Sequence, residues 1–338
     1  MSGGVDSSVA AALMKEEGYE CSGVTLKLHE AGFSVQDAEE AARQLGIAHS
    51  LLDFSGIFND KVIRNFISTY EAGWTPNPCI DCNRSIKFNA LLFKARELGF
   101  DVLATGHYAL LDRETGGRLL LRKGVDPLKD QSYVLYCLDQ DQLEHVRFPL
   151  GSLTKEEVRK TARELGFLNA ERKESQDICF IPDGDYGAFM EAHTGKRYPE
   201  GDIIDTEGKV LGRHRGIVRY TLGQRRGLGV AANVPVYVTA KNMAANTITL
   251  GIESSLYSKT LIARNINLIA CDNLEKPQRC MVKTRYLQEE KQGTAQQTGP
   301  DEIRVSFDEP QRAVTPGQAA VLYDGDIVIG GGTIVSSY

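Results

Sequence analysis

Met1-Ser2-Gly3-Gly4-Val5-Asp6-Ser7-Ser8 opens the chain and runs directly into a stretch with helical spacing. Val9, Leu13 and Met14 recur on one face, Ala10, Ala11 and Ala12 favour helix, and Gly18 stands where the helix should stop. Gly3 and Gly4 carry no Cβ, so their amides can close around an anion, while Ser7 and Ser8 can cap or line the helix start. A helix N-terminus with free amides is a phosphate site. The spacing is neither the Walker loop nor the Gly-x-Gly-x-x-Gly dinucleotide fingerprint. A carboxylate inside such a loop would repel phosphate, so Asp6 is expected to orient Mg²⁺ instead. A loop of this kind is ordinarily fed by a buried parallel strand, and only Met1 precedes it here. The expectation is that the first strand is missing and that the native start lies upstream of Met1.

Outward from this loop, strands and helices alternate. Residues 20–28 are apolar and β-branched enough for a strand, Ser34 is placed to cap a helix through Gln44 that stops at Gly46, and residues 47–54 read as the next strand. A helix over 57–70, a proline-containing loop over 75–83, a helix over 87–98 ended by Gly99 and a short buried strand over 101–105 continue the rhythm. Such alternation predicts a parallel sheet wrapped by helices. Ala104-Thr105-Gly106-His107-Tyr108 falls just past a strand's carboxyl end, where open α/β sheets place ligand contacts, although His107 alone reads as structural. Thr154 and Glu157 form a capping box for a helix ending at Gly166. Residues 173–181 then turn abruptly from polar to apolar, and 185–193 read as one last helix. After Gly195, short strands separated by Gly, Asn and Asp turns replace helices almost completely. The expected units are 1–194, 195–254 and 255–338, the last holding alternating runs over 280–287, 303–307, 319–323 and 326–329.

The 338 residues are 42% hydrophobic and 25% charged, as in ordinary globular domains, which excludes collagen-like, disordered and low-complexity classes. No apolar run reaches membrane-spanning length and no basic-plus-apolar leader is present, so a cytoplasmic location is expected. Seven scattered cysteines argue against a secreted disulfide framework and for metal, redox or thiol chemistry. The net charge of −6 gives no global pull toward nucleic acid, so any RNA site must be a local basic patch.

One such patch stands out. From Gly208 to Ile252 there is no Asp or Glu, while Lys209, Arg213, Arg215, Arg219, Arg225, Arg226 and Lys241 are all basic. A solvated face balanced by acids elsewhere is the plain reading. The loop Thr221-Leu222-Gly223-Gln224-Arg225-Arg226-Gly227-Leu228-Gly229 favours contact with a phosphate backbone, because its glycines let two arginines approach a polyanion closely. A second constellation is Cys79-Ile80-Asp81-Cys82 after Pro76-Asn77-Pro78, with Arg84 and Lys87 near enough to favour thiolate. A zinc half-site lacks a second ligand pair, and a thioredoxin-like dithiol is poorly matched by two prolines ahead of the motif. Cys179, between Ile178 and Phe180, reads equally as a core residue or as a third thiol partner. Cys21 and Cys137 read as core, and Cys271 and Cys280 belong to the β-rich end.

Ser-Gly-Gly-x-Asp-Ser resembles the PP-loop of ATP pyrophosphatases, which split ATP between its α and β phosphates. Taken in order, Ser2 to Ser8, Thr75-Pro76-Asn77-Pro78 with Cys82-Asn83 and Ile86-Lys87-Phe88, Ala104 to Tyr108, Lys129-Asp130-Gln131-Ser132-Tyr133, Ile178 to Ile181, Thr221 to Arg225, Val282-Lys283-Thr284-Arg285-Tyr286 and Thr315-Pro316-Gly317-Gln318 resemble the tRNA-specific 2-thiouridylase (MnmA/TrmU) family over nearly the whole chain. The resemblance implies a PP-loop (adenine nucleotide alpha hydrolase-like) α/β domain, a small central β domain and a C-terminal β-barrel. It implies an ATP- and Mg²⁺-dependent sulfurtransferase that adenylates the C2 oxygen of a tRNA wobble uridine and replaces it with sulfur. By resemblance Cys82 is the nucleophile and Cys179 the persulfide carrier, while Ser2, Gly3, Gly4, Val5, Asp6, Ser7 and Ser8 with Leu26 and Gly106 meet ATP. Asn77, Pro78 and Cys79 match the target-base pocket. Lys129, Asp130, Gln131, Arg285 and Tyr286 match tRNA contacts, as do His107 and Gln318, with Arg225 and Arg226 added from charge. A persulfide or sulfide donor protein and a monomeric state are also expected.

Position 79 departs from the family pattern, where many members carry Asp, and two mechanisms stay open. In one, persulfide on Cys179 attacks the adenylated uridine and Cys82 releases the product by forming a disulfide. In the other, Cys79, Cys82 and Cys179 hold an iron-sulfur cluster; this is preferred, because the third cysteine is otherwise unexplained. Three rivals remain: a dithiol redox protein on Cys79 and Cys82, a non-catalytic RNA-binding module, and a PP-loop enzyme adenylating a small substrate. The Ser2 to Ser8 loop argues against the first two, and the acid-free segment against the third.

Overall fold

The computed structural model describes residues 1–29, 34–171 and 178–338. The first helix, Val5–Glu16, springs directly from the glycine pair. Gly4 is its extended N-cap and makes no side-chain capping bond, and Gly3 turns the chain at φ 73°. Ser22–Lys27 and Ala48–Asp53 pair in parallel, with the helix Gln36–Leu45 between them in sequence. Gly46 closes that helix in the left-handed conformation, as expected, but its N-cap is Val35 and not Ser34. Met1 lies along the first strand: its amino group donates to the Val24 carbonyl, and its own carbonyl accepts the Thr25 hydroxyl at 2.6 Å. A second parallel ladder sets Leu103–Ala104 beside Val146–Arg147. The capping box at Thr154 and Glu157 is present and opens the helix Lys155–Glu164.

The sharpest departure from expectation lies at 75–83. The loop ends early, and a helix begins at Pro78 and runs without a break through Pro78–Cys82, Asn83–Leu91 and Leu92–Glu97. Proline suits a first helical position because its missing N–H would have had no intrahelical acceptor there. Cys79 and Cys82 therefore ride on the opening turns of a helix. The segment Asn83–Leu91 immediately behind them has wide π-type turns, a distortion frequent at functional sites.

Beyond the α/β part, Val210–His214, Gly201–Ile204, Thr247–Gly251 and Tyr237–Asn242 pair in that order as a four-stranded sheet. The C-terminal strands Tyr257–Leu268, Glu302–Arg312, Lys291–Gly299, Gln278–Lys283, Ala319–Asp324 and Ile327–Ser337 pair in that order, and the last returns to the first, closing a six-stranded barrel. A hairpin of Ala109–Arg113 and Leu119–Lys123, not read from the sequence, leaves the α/β part and joins the barrel where Arg122 pairs with Ile327.

The cores cross the expected unit boundaries. Leu121, Tyr133, Tyr136 and Leu138 are buried in one cluster with Val321, Tyr323 and Val328 of the barrel. Phe58, Phe66, Ile86 and Phe180 share another with Ile203, Val238 and Ile248 of the four-stranded sheet. Each such side chain stabilises the assembly by about 1.5–3 kcal/mol relative to exposure, so the three parts are held together by core and not only by linkers. Among the described residues, no helix is long and apolar enough to cross a membrane.

Candidate active site

The opening loop is folded on itself. The Ser2 amide donates to Ser7 Oγ (3.0 Å), the Ser7 and Ser8 hydroxyls donate back to the Gly4 carbonyl (3.0 and 3.3 Å), and Asn169 Nδ2 donates to the Gly3 carbonyl and to Ser8 Oγ (3.0 and 3.1 Å). Neither serine caps the helix. The first-turn amides of a helix have no i−4 carbonyl of their own, so an uncapped start on a glycine turn suits an anion.

Asp6 is differently placed from the metal-orienting role expected of it. Lys155 Nζ stands 2.7 and 2.9 Å from its two carboxylate oxygens, and the Tyr108 hydroxyl donates to it at 2.7 Å. Lys155 is buried, at 8% exposure. Its own amide donates to Asp126 Oδ2 at 3.0 Å. Gly106 backs onto the same residue so closely that a Cβ there would stand 2.8 Å from the Asp6 carbonyl carbon, so only glycine allows this approach. Leu26 sits half-buried in the neighbouring strand, opposite Leu52. Val5 is buried under the loop beside Val9 and Tyr108.

The three thiols are free, with Cys82 buried and Cys79 and Cys179 presented at the surface. Each lies among packed atoms, and desolvation raises all three, Cys179 to about 11. Cys179 also feels the charges of Cys82 and Cys79, which draws the three into one electrostatic neighbourhood. Phe180 and Ile181 anchor Cys179 from below: the Phe180 ring meets Phe58 and Phe66 edge-on at 5.6 and 5.3 Å. The expectation that Arg84 favours thiolate fails, because its guanidinium turns to the Tyr136 hydroxyl (3.4 Å) and toward Asp81 and Cys137. Lys87 is the cation that acts on all three thiols, against the larger upward pull of desolvation. It follows Cys82 by five residues, one turn of the wide helix, and so shares its face. The Lys87 ammonium also approaches His107 Nε2 at 3.5 Å, while His107 Nδ1 bonds Thr105 Oγ1 at 2.8 Å. His107 is buried against Phe88 and Phe148, and desolvation with the Lys87 charge holds it neutral. Of the other cysteines, Cys137 and Cys280 are buried as core residues, whereas Cys21 and Cys271 are partly exposed.

Most residues expected to meet the RNA are engaged inward. Asp130 accepts the Gly124 and Ser132 amides, both at 3.1 Å, and the Ser132 hydroxyl at 2.9 Å. Gln131 clamps Tyr108 from both sides, taking its amide on Oε1 (3.0 Å) and donating to its carbonyl (2.9 Å). Gln318 Nε2 donates to the carbonyls of Thr75 and Pro76 (3.0 and 2.9 Å), the Thr75 amide donates to Pro316 O (2.9 Å), and a Cβ on Gly317 would stand 2.6 Å from Thr75 O. Asn77 bonds the buried Tyr133 hydroxyl, and Pro78 is buried beside it. Arg285 ties Leu222 O to Ala313 O (3.2 and 3.3 Å) and also reaches the Thr315 hydroxyl. Lys129 and Tyr286 are half-exposed, with Lys283 Nζ 5.9 Å from the Tyr286 ring.

The basic segment divides. Arg213 pairs with Glu200 and Asp202, and Arg219 with Asp185 and Glu191. Lys241 is half-buried with its ammonium on Tyr220 O (2.9 Å), and desolvation lowers it to about 8. Lys209, Arg215, Arg225 and Arg226 stay exposed.

A metal finds little support. Lys155 bridges both oxygens of Asp6, so a cation already sits on the carboxylate expected to orient Mg²⁺, although that side chain stays 31% exposed. Among the described residues, no group of three or more His, Cys, Asp or Glu is gathered to hold an ion. Sequence reasoning missed Lys155, Asn169 and Asp126. For Lys155 a signal existed: a lysine at the first position of a capped helix opposes the macrodipole and needs another reason to be there.

Family models match the chain in three consecutive pieces. These are a tRNA methyl transferase HUP domain over residues 1–183, a tRNA methyl transferase PRC-barrel domain over 187–252 and an aminomethyltransferase beta-barrel domain over 258–334. The chain is 48% identical to the tRNA-specific 2-thiouridylase MnmA of Acetivibrio thermocellus, covering 99% of this chain and 97% of that one. It is 47% identical to the protein of that name from Clostridioides difficile, covering 100% and 97%. With three domain models matched in succession and relatives matched over nearly their full length, this chain belongs to the tRNA-specific 2-thiouridylase family.

Proposed function

We propose that this protein is an ATP-dependent tRNA sulfurtransferase that converts the wobble uridine of tRNA to 2-thiouridine, releasing AMP and pyrophosphate. One observation carries the reading: the turn Thr105 to Tyr108 touches both halves of the chemistry at once. Gly106 and Tyr108 abut Asp6 of the phosphate loop, and His107 between them meets Lys87, the cation of the thiol helix. A loop for adenylation and a set of thiols for sulfur delivery therefore share one wall, as a two-step exchange of oxygen for sulfur requires. A dithiol redox protein has no use for that wall.

The loop amides bind the ATP phosphates, with Leu26 and Gly106 beside the nucleotide, and the uridine C2 oxygen attacks the α-phosphate, expelling pyrophosphate. Asn77, Pro78 and Cys79 frame the base. The terminal sulfur of a Cys179 persulfide, supplied by a persulfide or sulfide donor protein, then attacks C2 and AMP departs. Cys82 thiolate attacks Cys179 Sγ, breaking the sulfur–sulfur bond to the product, which leaves as 2-thiouridine while a Cys82–Cys179 disulfide forms for later reduction. Lys87 is the cation that offsets part of the desolvation holding these thiols protonated. No step runs through a cluster. The unit 195–254, with Arg225 and Arg226, and the barrel 255–338 grip the tRNA, and the protein works as a cytoplasmic monomer.

The test is reconstitution with unmodified tRNA, ATP and a persulfide donor, followed by mass analysis of the digested nucleosides. Formation of 2-thiouridine with matching AMP is expected. No thiolated nucleoside, together with unchanged wobble thiolation in cells lacking the gene and any redundant enzyme, would sink the reading.

A further inference from the structure

We propose that Lys155, and not a metal ion, is the partner of Asp6 while ATP is bound, so that the Asp6, Lys155 and Tyr108 cluster positions the phosphate loop and cancels the carboxylate's repulsion of the nucleotide. The proposal rests on the reading of the loop as an ATP site and assigns the charge inside it.

A carboxylate one residue into a helix that must accept a polyphosphate is an electrostatic liability. Uncompensated, it opposes the anion that the helix N-terminus attracts. Two cationic or donor groups converge on it from separate parts of the chain. Lys155 reaches both oxygens from the start of the helix Lys155–Glu164, and Tyr108 donates to one of them from the strand-end turn. Both partners are fixed from behind. The Lys155 amide is held by Asp126, and the Tyr108 main chain is clamped on both sides by Gln131. Gly106 packs against the Asp6 main chain and Cβ, which fixes the point from which the carboxylate reaches its two partners. Mg²⁺ prefers open, hydrated oxygens in octahedral geometry, and an oxygen pair bridged by a buried ammonium does not offer them. The metal that accompanies ATP is therefore carried by the phosphates and water and is not held by Asp6. Asp6 acts as a positioning residue.

The experiment compares equilibrium binding of ATP, with Mg²⁺ titrated, to the full chain and to Asp6→Asn, Lys155→Met, Lys155→Arg and the double variant Asp6→Asn with Lys155→Met. Removing one partner of a buried pair strands the other, so Lys155→Met should weaken ATP binding by about tenfold or more. Asp6→Asn keeps an acceptor for Lys155 and Tyr108 but not the charge, so it should weaken ATP binding by no more than about threefold, and the double variant should bind more tightly than Lys155→Met, because no charge is left stranded. Lys155→Arg should retain binding. The Mg²⁺ concentration for half-maximal binding should not move in Asp6→Asn. Should Lys155→Met fail to fold, the Asp6→Asn titration and the double variant still decide. A rise in the Mg²⁺ requirement of Asp6→Asn, or a double variant as weak as Lys155→Met, would overturn the proposal. A parent chain that binds no ATP would overturn the nucleotide reading itself, and this proposal with it.

Discussion

The segment over residues 75–82, a short loop that runs into a helix, is fastened to the barrel and to Tyr133, whereas the loop over 221–229 is anchored at Leu222, Gly223, Gln224 and Leu228 but leaves its two arginines exposed. In the first, the barrel turn of Pro316, Gly317 and Gln318 binds the Thr75 amide and the carbonyls of Thr75 and Pro76, and Asn77 is fastened to Tyr133. In the second, Gly223 and Gln224 pair with Val238, while Arg225 and Arg226 project into solvent. A loop that must present a base to a thiol needs fixed geometry. A loop that meets a phosphate backbone needs charge and reach, and fixing it would only add desolvation. The difference separates residues that act on rate from residues that act on affinity.

The largest expected effect lies on the fixed side. Cys82→Ser should lower 2-thiouridine formation by more than about 1,000-fold, the scale on which loss of a nucleophile acts, with tRNA binding intact in a filter assay. Comparable loss of tRNA affinity would mean that Cys82 is structural. Next, Gln318→Ala removes two donors from the 75–76 carbonyls, and misplacing a reactive loop by about 1 Å can cost on the order of 100-fold. Single-turnover kinetics should show a rate loss of about 10- to 100-fold with tRNA affinity held within about twofold. If affinity falls and rate does not, Gln318 meets the RNA directly and the contrast between the loops collapses.

On the open side, replacing Arg225 and Arg226 with Ala should weaken all tRNAs alike, with the salt dependence flattening by about one log-log unit per lost phosphate contact. The rate at saturating tRNA should stay the same. A change in which tRNAs are chosen, without loss of affinity, would contradict this. The smallest effect concerns protonation. Burial raises Cys179 to about 11, so its alkylation by iodoacetamide should climb about tenfold per pH unit from 8 to 10 without levelling off. The sign for stability follows. Between the ordinary thiol range and about 11 the folded chain keeps a proton that the unfolded chain has lost, so this group's stabilisation is present below that window and fades as pH rises through it. A plateau near pH 8.5 would show that Lys87 outweighs burial.

What could be read from the sequence was local. The capping box at Thr154 and Glu157, the stop at Gly46 and the loop before Val5 each need only a few neighbouring residues, and each is present. Pro78 was misread because proline both interrupts and begins helices, and only its neighbours in space decide which. Lys87 and Arg84 were equal candidates by proximity in sequence, and only the contact of Arg84 with Tyr136, 52 residues away, removes it. The inward bonds of Asp130, Gln131, Arg285 and Gln318 were invisible, since each joins segments distant in sequence or closes a turn whose register the pattern leaves open. The basic segment was legible as charge, but not as four exposed cations among three that are paired or half-buried.

The hairpin that joins the barrel has a consequence for synthesis. Arg122 leaves the ribosome 204 residues before its partner Asp326. At about 5–20 residues per second, the strand Leu119–Lys123 therefore waits some 10–40 seconds as an unpaired edge. Leu119 and Leu121, buried in the finished protein, have no barrel to pack against in that interval. An open apolar edge of this kind is a template for pairing with another nascent chain, so the yield of native protein depends on how fast the last strands arrive, or on what shields the edge until they do.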